Sequence, residues 1–359
     1  MIGISLKEWL KLLYDNKFNV KSRFIPKIFL LTIANVILAP FILYERLRFR
    51  KKIRITKITE DPVFILGHWR SGTTHLHKML AFDEQFGYIT LTESGLPHLF
   101  LTGSKMIHLI MKPLTPKKRP TDDVDMFPEM PHEHEFALLF LSMLSPIIMF
   151  AFPKNMEQYR KYLTLDNASP EQVEEWKKWF LYLIKKLTIK EKGKQLILKN
   201  PLDTCRLKHI LELFPNSKFV HIYRDPYDLF FSTLKLHKHN AGIYAMQKQD
   251  YDIRELILET HVEMYDRYYE DIKLIPEGNL VDVQFEKLSE NPITELEKIY
   301  SGLGLDGFDK LKERVKPYLK SVEGYTPSKY KLSEEDKITI YSYWQKTIDK
   351  WGYEKAPKT

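Results

Sequence analysis

The first candidate site for chemistry is residues 62–76, PVFILGHWRSGTTHL, where an apolar run meets a turn of small and hydroxylated residues that opens a helix. Gly67 and Gly72 would let the backbone fold tightly around an oxyanion, and the first N–H groups of the helix would point at it. The sequence therefore predicts a loop that binds a phosphate or sulfate group. The predicted ligands in this loop are Gly67, His68, Trp69, Arg70, Ser71, Gly72, Thr73 and Thr74.

The loop differs from a nucleoside triphosphatase loop in the residue after its second glycine. Gly67 and Gly72 have the Walker A spacing, but Thr73 stands where that motif requires lysine. Magnesium-dependent ATP or GTP hydrolysis would lose its central cation, so a nucleotide kinase or NTPase is the weaker alternative. Arg70 places the positive charge inside the loop, and its planar guanidinium can hold two oxygens of a transferring group.

A second polar turn, which contains Arg224, follows the apolar run at residues 218–223. Ser232, further along the predicted helix, would share an anion with Arg224 if this helix packs back over the strand. An Arg-Asp-Pro turn taken alone is more often an ion pair and a helix cap, so a ligand role depends on the other motifs.

Strand and helix signals alternate around both turns. Short apolar runs predict strands at residues 63–66, 196–198, 218–223 and 280–285. Amphipathic spacing predicts helices at residues 73–81, 204–213, 227–237 and 293–300. This alternation is typical of a parallel sheet whose ligands bind beyond the carboxyl ends of the strands. The sequence therefore predicts a single α/β domain at residues 59–359, with a central parallel sheet flanked by helices.

Several ordered motifs together resemble the sulfotransferase family, in particular a bacterial branch whose loop reads Gly-x-x-Arg-Ser-Gly-Thr-Thr. The Lys-Asn-Pro turn at 199–201, the strand and Arg-Asp-Pro turn at 214–226 and Phe-Glu-Lys-Leu at 285–288 are similar to further family motifs. The resemblance runs from about Pro62 to Tyr353. It implies a P-loop nucleotide-kinase-like fold and transfer of a sulfuryl group from 3′-phosphoadenylyl sulfate (PAPS), which leaves PAP, to an acceptor hydroxyl or amine.

The same resemblance implies two anchor points for the donor. The loop at 67–74 cradles the 5′-phosphosulfate, while Arg224 and Ser232 hold the 3′-phosphate. Lys329, in a segment similar to a family loop that closes over the nucleotide, is a further ligand of the 3′-phosphate. No metal is implied, because fixed cations can neutralise the charge that develops on the leaving phosphate.

The expected catalytic groups are two cations and a base. Arg70 is the main cation, and Lys199, at the end of its predicted strand, is the second. The base is sought at residues 131–138, which are similar to a family Pro-x-Glu-Asp-Glu-Phe-Ala-Leu motif. Glu133 would need a pKa raised by burial, whereas the ordinary pKa of His134 is already near neutrality. Glu133 is slightly favoured, and both stay open.

The formal charge of +8 is concentrated at the N-terminus. Residues 1–58 carry eight Lys and five Arg against three acidic residues, a net of +10, so the rest of the chain carries −2. A near-neutral body disfavours a nucleic-acid partner, whose phosphate backbone needs clustered cations. The single cysteine, Cys205, favours a reducing cytoplasm.

Residues 28–44 are uncharged and lead into a basic stretch. Their length is at the lower edge of the roughly 17–25 residues that a membrane span needs, and Pro40 lies among them. We expect residues 1–58 to form a helical anchor on an anionic membrane surface. A helical hairpin packed on the protein and a true span are the alternatives. The expected location is cytoplasmic, peripheral at the inner face of the membrane.

The acceptor is predicted from two apolar stretches, residues 96–114 and 138–152. They suit an apolar pocket or a mouth that faces a membrane, although core packing would explain them equally well. A lipid or sterol-like alcohol is therefore the first choice, and a glycan is the alternative. A membrane-surface protein that keeps the anion loop without catalysis is the non-enzymatic alternative. The oligomeric state is left open.

Overall fold

The computed structural model describes residues 2–113, 115–119, 125–324 and 330–356. Its α-helices, in chain order, are α1 (Leu6–Asp15), α2 (Ile25–Ile55), α3 (Thr73–Leu80), α4 (Leu91–Gly95), α5 (Phe100–Met111), α6 (Glu135–Ser142), α7 (Met156–Arg160), α8 (Pro170–Lys190), α9 (Leu207–Leu213), α10 (Pro226–Tyr244), α11 (Ile253–Asp271), α12 (Phe285–Glu290), α13 (Pro292–Gly302), α14 (Phe308–Ser321) and α15 (Glu334–Trp351). Its 3₁₀ helices are Ser22–Phe24, Pro146–Phe150, Pro153–Asn155, Pro201–Cys205 and Ile272–Leu274. Its strands are β1 (Val63–Leu66), β2 (Phe86–Gly87), β3 (Gln195–Lys199), β4 (Lys218–Tyr223) and β5 (Leu280–Gln284).

The strands form a five-stranded sheet in the order β2-β3-β1-β4-β5 within the described residues. β1 pairs in parallel with β3 and with β4, and β4 pairs in parallel with β5. All four residues of β1 are buried, as expected for a parallel strand covered by helices on both faces. The predicted α/β fold class, with its central parallel sheet flanked by helices, is confirmed.

The chain falls into two compact units. The sheet unit comprises Asp61–Phe86, Ile197–His239 and Tyr251–Thr359, and it contains β1, β4, β5 and most of β3. The helical unit comprises Met1–Glu60, Gly87–Leu196 and Asn240–Asp250. The predicted division of the chain at residue 58 stays a prediction.

One core cluster of the sheet unit is formed by α10, α11 and α15. Phe230, Ile257, Trp344 and Ile348 are buried together in this core. The indole N–H of Trp344 donates to the Leu258 carbonyl oxygen at 3.0 Å, so the buried ring leaves no unsatisfied donor. This packing holds the first part of α10, which carries Ser232, in the sheet unit.

The helical unit is organised by α8. Its first turn has a capping box between Ser169 and Gln172 with Pro170 at the first position, which is a strong start signal. Trp176 and Phe180 are fully buried on its inner side. Most of the apolar stretch at 138–152 is buried in this unit as α6 and the 3₁₀ helix Pro146–Phe150.

The apolar N-terminal segment is helical, as predicted, and α2 continues through Pro40 for 31 residues. The helical stretch Ser22–Ile55 has the length and composition to cross a membrane, and only 17% of its most apolar window is buried within the protein.

Several predicted boundaries differ from the structure: the helix predicted at 227–237 continues to Tyr244, and the strand predicted at 196–198 extends one residue further at each end. The helix predicted at 204–213 begins at Leu207, because Pro201–Cys205 forms a 3₁₀ turn in which the Asn200 side chain accepts from the Leu202 N–H. The strand predicted to reach residue 285 ends at Gln284, where α12 begins.

Candidate active site

The loop between β1 and α3 has backbone conformations that require glycine at two positions. Gly67 has φ +138° and Gly72 has φ +101°. A Cβ at Gly67 would collide with the Ile222 carbonyl oxygen of β4, and a Cβ at Gly72 would collide with the Phe285 ring. The tight loop therefore depends on the pairing of β1 with β4 as well as on its own sequence.

Hydrogen bonds close the loop from both ends. The Gly67 N–H donates to Thr204 Oγ1 at 2.8 Å, and the Ser71 hydroxyl donates to the His68 carbonyl oxygen at 2.8 Å. The Ser71 hydroxyl proton is thus donated to a backbone oxygen of the loop itself. At the start of α3, Gly72 occupies the N-cap position and no side chain caps the helix. Such a helix start presents backbone N–H groups and a positive dipole end that suit an anion.

Arg70 connects this loop to α10. It is the non-glycine residue of the loop with a left-handed backbone, at φ +72°. Its Nε donates to Ser232 Oγ at 2.9 Å. The structure therefore brings together one predicted ligand of the phosphosulfate and one predicted ligand of the 3′-phosphate.

Lys199 approaches the loop from the neighbouring strand. It ends β3, its side chain is almost completely buried, and its Nζ donates to Thr74 Oγ1 at 3.4 Å. Because β3 and β1 are parallel, their carboxyl ends meet at the same edge of the sheet. A second cation thus lies beside the first turn of α3.

Arg224 is held at the end of β4 by an acid and an aromatic ring. One of its terminal guanidinium nitrogens is 3.4 Å from Asp228 Oδ2, and the guanidinium lies 4.8 Å from the centroid of the Phe285 ring. Asp228 Oδ1 also accepts from the Tyr330 N–H at 3.4 Å. Arg224 is 8% exposed, so its guanidinium is largely withdrawn from water.

Three supporting residues were missed by the sequence reasoning. Thr204 accepts from the loop backbone, and Phe285 lies against both Gly72 and Arg224. Glu286 Oε1 accepts from the Asp225 N–H at 3.0 Å, while Glu286 Oε2 accepts from the Tyr353 hydroxyl at 2.8 Å. The Phe-Glu-Lys-Leu motif at 285–288 was the available signal for two of these residues.

Three buried histidines near the loop, His68, His237 and His261, are neutral at physiological pH. Burial lowers the pKa of His68 to about 4 and that of His237 to about 3, and it also lowers the pKa of His261. The His68 and His261 ring centroids are 5.2 Å apart. His68, predicted as an anion ligand, has its side chain buried. It can therefore contribute to the loop through its backbone rather than through charge.

The two candidate bases belong to the helical unit. His134 is fully buried at the N-cap of α6, where its ring stacks on Phe180 with centroids 5.2 Å apart. Glu133 is only partly buried. The pKa of Tyr244 is raised mainly by the burial of its own hydroxyl and, to a smaller extent, by the negative charge of Glu133. The stacked position of His134 is typical of a structural residue, whereas Glu133 keeps access to solvent.

One predicted ligand, Lys329, lies outside the described residues. The catalytic and binding roles assigned to the other residues stay predictions. Among the residues that the structure describes, no group of three or more His, Cys, Asp or Glu side chains is placed to hold a metal ion.

Known proteins resemble this chain in sequence over almost its whole length. Omega-hydroxy-beta-dihydromenaquinone-9 sulfotransferase Stf3 from Mycobacterium bovis and from Mycobacterium tuberculosis is 31% identical to it over 355 residues. The alignment covers 99% of this chain and 91% of each relative.

Two solved structures share the fold. Sulfotransferase STF9 from Mycobacterium avium superposes with a TM-score of 0.70 at 16% identity, covering 98% of this chain and 93% of the other. Sulfotransferase STF1 from Mycobacterium tuberculosis H37Rv has a TM-score of 0.61 at 16% identity, covering 94% and 91%. The sequence pattern of the Sulfotransferase family matches residues 62–310, which include the loop, Lys199, Arg224 and Ser232. This chain therefore belongs to the sulfotransferase family.

Proposed function

We propose that this protein transfers a sulfuryl group from PAPS to the hydroxyl of a lipid-class acceptor. The observation that carries the proposal is the contact between Arg70 and Ser232, which joins the glycine loop to the helix that follows Arg224. Separate cationic groups at one edge of the sheet fit a donor with two separated anionic ends. ATP carries no 3′-phosphate, so this arrangement favours PAPS over ATP.

The loop fits the phosphosulfate end of the donor. Its glycines leave room for the backbone to approach an anion, and the start of α3 has no side-chain cap. Arg224 and Ser232 would hold the 3′-phosphate. Asp228 and Phe285 would keep the Arg224 guanidinium in place before the nucleotide arrives.

PAPS supplies the sulfuryl group when bound. The acceptor oxygen forms a bond to sulfur as the bond from sulfur to the leaving phosphate oxygen breaks, and PAP departs. Arg70 and Lys199 stabilise the negative charge that develops on the leaving phosphate. Glu133 takes the acceptor hydroxyl proton.

Support for a lipid acceptor comes from a relative and from composition. The relative that is 31% identical over nearly the whole chain carries the name of a hydroxylated menaquinone sulfotransferase. The 138–152 stretch is mostly used in core packing, and the apolar composition of the remaining segments, such as residues 96–114, suits a long apolar acceptor. A primary or secondary alcohol on a prenylated quinone or similar lipid is therefore the proposed substrate class, and the protein is proposed to work in the cytoplasm at the inner face of the membrane.

Calorimetry with PAP, adenosine 5′-phosphate and ATP tests the donor assignment. PAP should bind most tightly, Arg224→Ala should weaken PAP binding, and Lys310→Ala, at an exposed lysine of α14, should not. Labelled PAPS is then offered with a panel of hydroxylated quinones, sterols and glycans. Magnesium-dependent ATP turnover without PAP binding would establish a kinase or NTPase instead, and transfer confined to glycans would overturn the lipid assignment.

A further inference from the structure

Helix α2 has one face that is bonded to the helical unit at several points along its length. The indole N–H of Trp9 donates to Thr32 Oγ1 at 2.9 Å, and the Gly3 N–H donates to Asn35 Oδ1 at 3.2 Å. Both acceptors lie inside the uncharged segment at 28–44. Thr32 and Asn35, two polar residues of this apolar segment, thus accept hydrogen bonds from the protein itself.

The same face carries a buried ion pair further along the helix. Glu45, the one acidic residue of α2, lies 2.6 Å from Lys186 of α8, and both side chains are almost completely buried. Glu45 Oε2 also accepts from the backbone N–H groups of Leu101 and Thr102 at the start of α5, at 3.0 and 2.8 Å. Separating these groups would leave a buried charge unpaired, which is strongly unfavourable.

The opposite face of α2 exposes large apolar side chains. They recur every three or four residues and therefore form one continuous stripe. Members of this exposed stripe are Phe29, Ile33, Val36, Ile37, Phe41 and Tyr44. With exposed Ile25 and Leu47 at its ends, the stripe runs for about 33 Å along the helix axis. A continuous exposed apolar surface of this length marks an interaction site.

Exposed cations stand at both ends of the stripe. Lys21 and Arg23 precede α2, and Arg46, Arg48 and Arg50 follow the apolar segment. Glu45, which directly precedes Arg46, Arg48 and Arg50, is already neutralised by Lys186. The exposed surface therefore combines apolar side chains with unbalanced positive charge, which complements a bilayer with anionic headgroups rather than a second basic copy of this chain.

We propose that α2 lies in the plane of an anionic bilayer, with the exposed stripe in the outer acyl region and the exposed cations among the headgroups, and that it does not span the membrane. A span would have to pull Asn35 and Glu45 away from their partners and place the Asn35 side chain in hydrocarbon. This inference deepens the membrane-surface part of the proposed function. Its test measures membrane binding directly and needs no sulfuryl transfer.

Flotation of the full chain with vesicles gives the first test. Vesicles of phosphatidylcholine and phosphatidylglycerol should capture the protein, whereas pure phosphatidylcholine vesicles or high salt should release most of it. The double variant Phe29→Asn/Ile37→Asn should bind about tenfold or more weakly, because two inserted apolar side chains are lost. Leu274→Asn, at an exposed leucine of the sheet unit, is the matched control and should bind like the wild type.

Labelling from outside the vesicle separates an in-plane helix from a span. Cysteine is placed before the helix by Ser22→Cys, or after the apolar segment by Arg50→Cys, each in a Cys205→Ser background. A membrane-impermeant maleimide should modify both sites in vesicle-bound protein. Protection of one end would show a span and overturn the inference.

Two further outcomes keep the inference separate from the proposed function. If the wild type ignores anionic vesicles but forms a dimer that Phe29→Asn/Ile37→Asn abolishes, the stripe is a self-association face and the inference is wrong. If the double variant loses vesicle binding but still transfers sulfuryl to a short detergent-soluble alcohol, the inference stands. Loss of membrane binding is then distinguished from loss of catalysis.

Discussion

Arg70 Nε donates to Ser232 Oγ across 162 positions of the chain. Arg70 belongs to the glycine loop after β1, and Ser232 belongs to the helix that follows β4. The two strands are parallel neighbours, so both residues lie near the same edge of the sheet. This hydrogen bond helps to fix the direction of the loop arginine before any ligand binds.

Arg70→Ala should lower sulfuryl transfer by about 10²- to 10³-fold, because a fixed donor to the developing charge is lost. Arg70→Lys should recover only part of the lost transfer rate. An ammonium group cannot hydrogen-bond to Ser232 and to PAPS with the planar geometry of a guanidinium. Single-turnover transfer from PAPS is the measurement, and Lys310→Ala serves as the surface control. Wild-type transfer by Arg70→Ala would contradict the assigned role.

Ser232→Ala should weaken binding of PAP about tenfold and leave binding of adenosine 5′-phosphate nearly unchanged, because only PAP carries the 3′-phosphate. Calorimetry with the two nucleotides gives this difference directly. A double-mutant cycle with Arg224→Ala should show coupling if both groups hold one phosphate. Equal losses for both nucleotides would point to a structural effect through Arg70.

Gly72→Ala should destabilise the fold by about 1–3 kcal/mol, because a Cβ there meets the Phe285 ring on a backbone with positive φ. The matched control is Gly242→Ala in α10, where a Cβ has open space and the glycine φ is ordinary. That substitution should be neutral or slightly stabilising. Urea unfolding of the two variants measures the contrast, and equal stability would refute the glycine requirement at Gly72.

The free energy of unfolding should fall as the pH drops from about 6.5 toward 4. Burial lowers the pKa of His68 to about 4 and that of His237 to about 3, so the unfolded chain binds protons that the folded protein excludes. Each such histidine contributes at most about 1.4 kcal/mol per pH unit to the slope of the unfolding free energy in this window. Above the window it contributes no slope. Urea unfolding at several pH values measures the slope.

The variant His237→Gln should reduce the slope of the unfolding free energy between about pH 6.5 and 4. Above pH 7 the curve of unfolding free energy against pH should keep its shape. A general loss of stability at every pH, with the slope intact, would mean that another group carries the acid sensitivity. The comparison depends on the shape of the pH curve, so an overall loss of stability cannot imitate the predicted result.

Local sequence determined several elements closely. The bounds of β1 and β4 were predicted as the structure has them, because each is a short apolar run that ends at a glycine or an Arg-Asp-Pro turn. The anion loop was equally visible, since its glycines and hydroxyl residues are adjacent in the chain. The helical character of the N-terminal apolar segment also followed from composition.

The contacts between distant groups could not be predicted from local sequence. Three contacts depend on strands that come together from different parts of the chain. Arg70 donates to Ser232, Thr204 accepts from the Gly67 N–H, and the Phe285 ring lies against the Arg224 guanidinium. The packed and exposed faces of α2 are a further case, because nearly every residue of that apolar segment is hydrophobic and no periodicity distinguishes them. The local turns and apolar runs could be predicted because their energetics involve neighbouring residues. The tertiary structure decided the site and the exposed stripe, because their energetics depend on contacts between residues far apart in the chain.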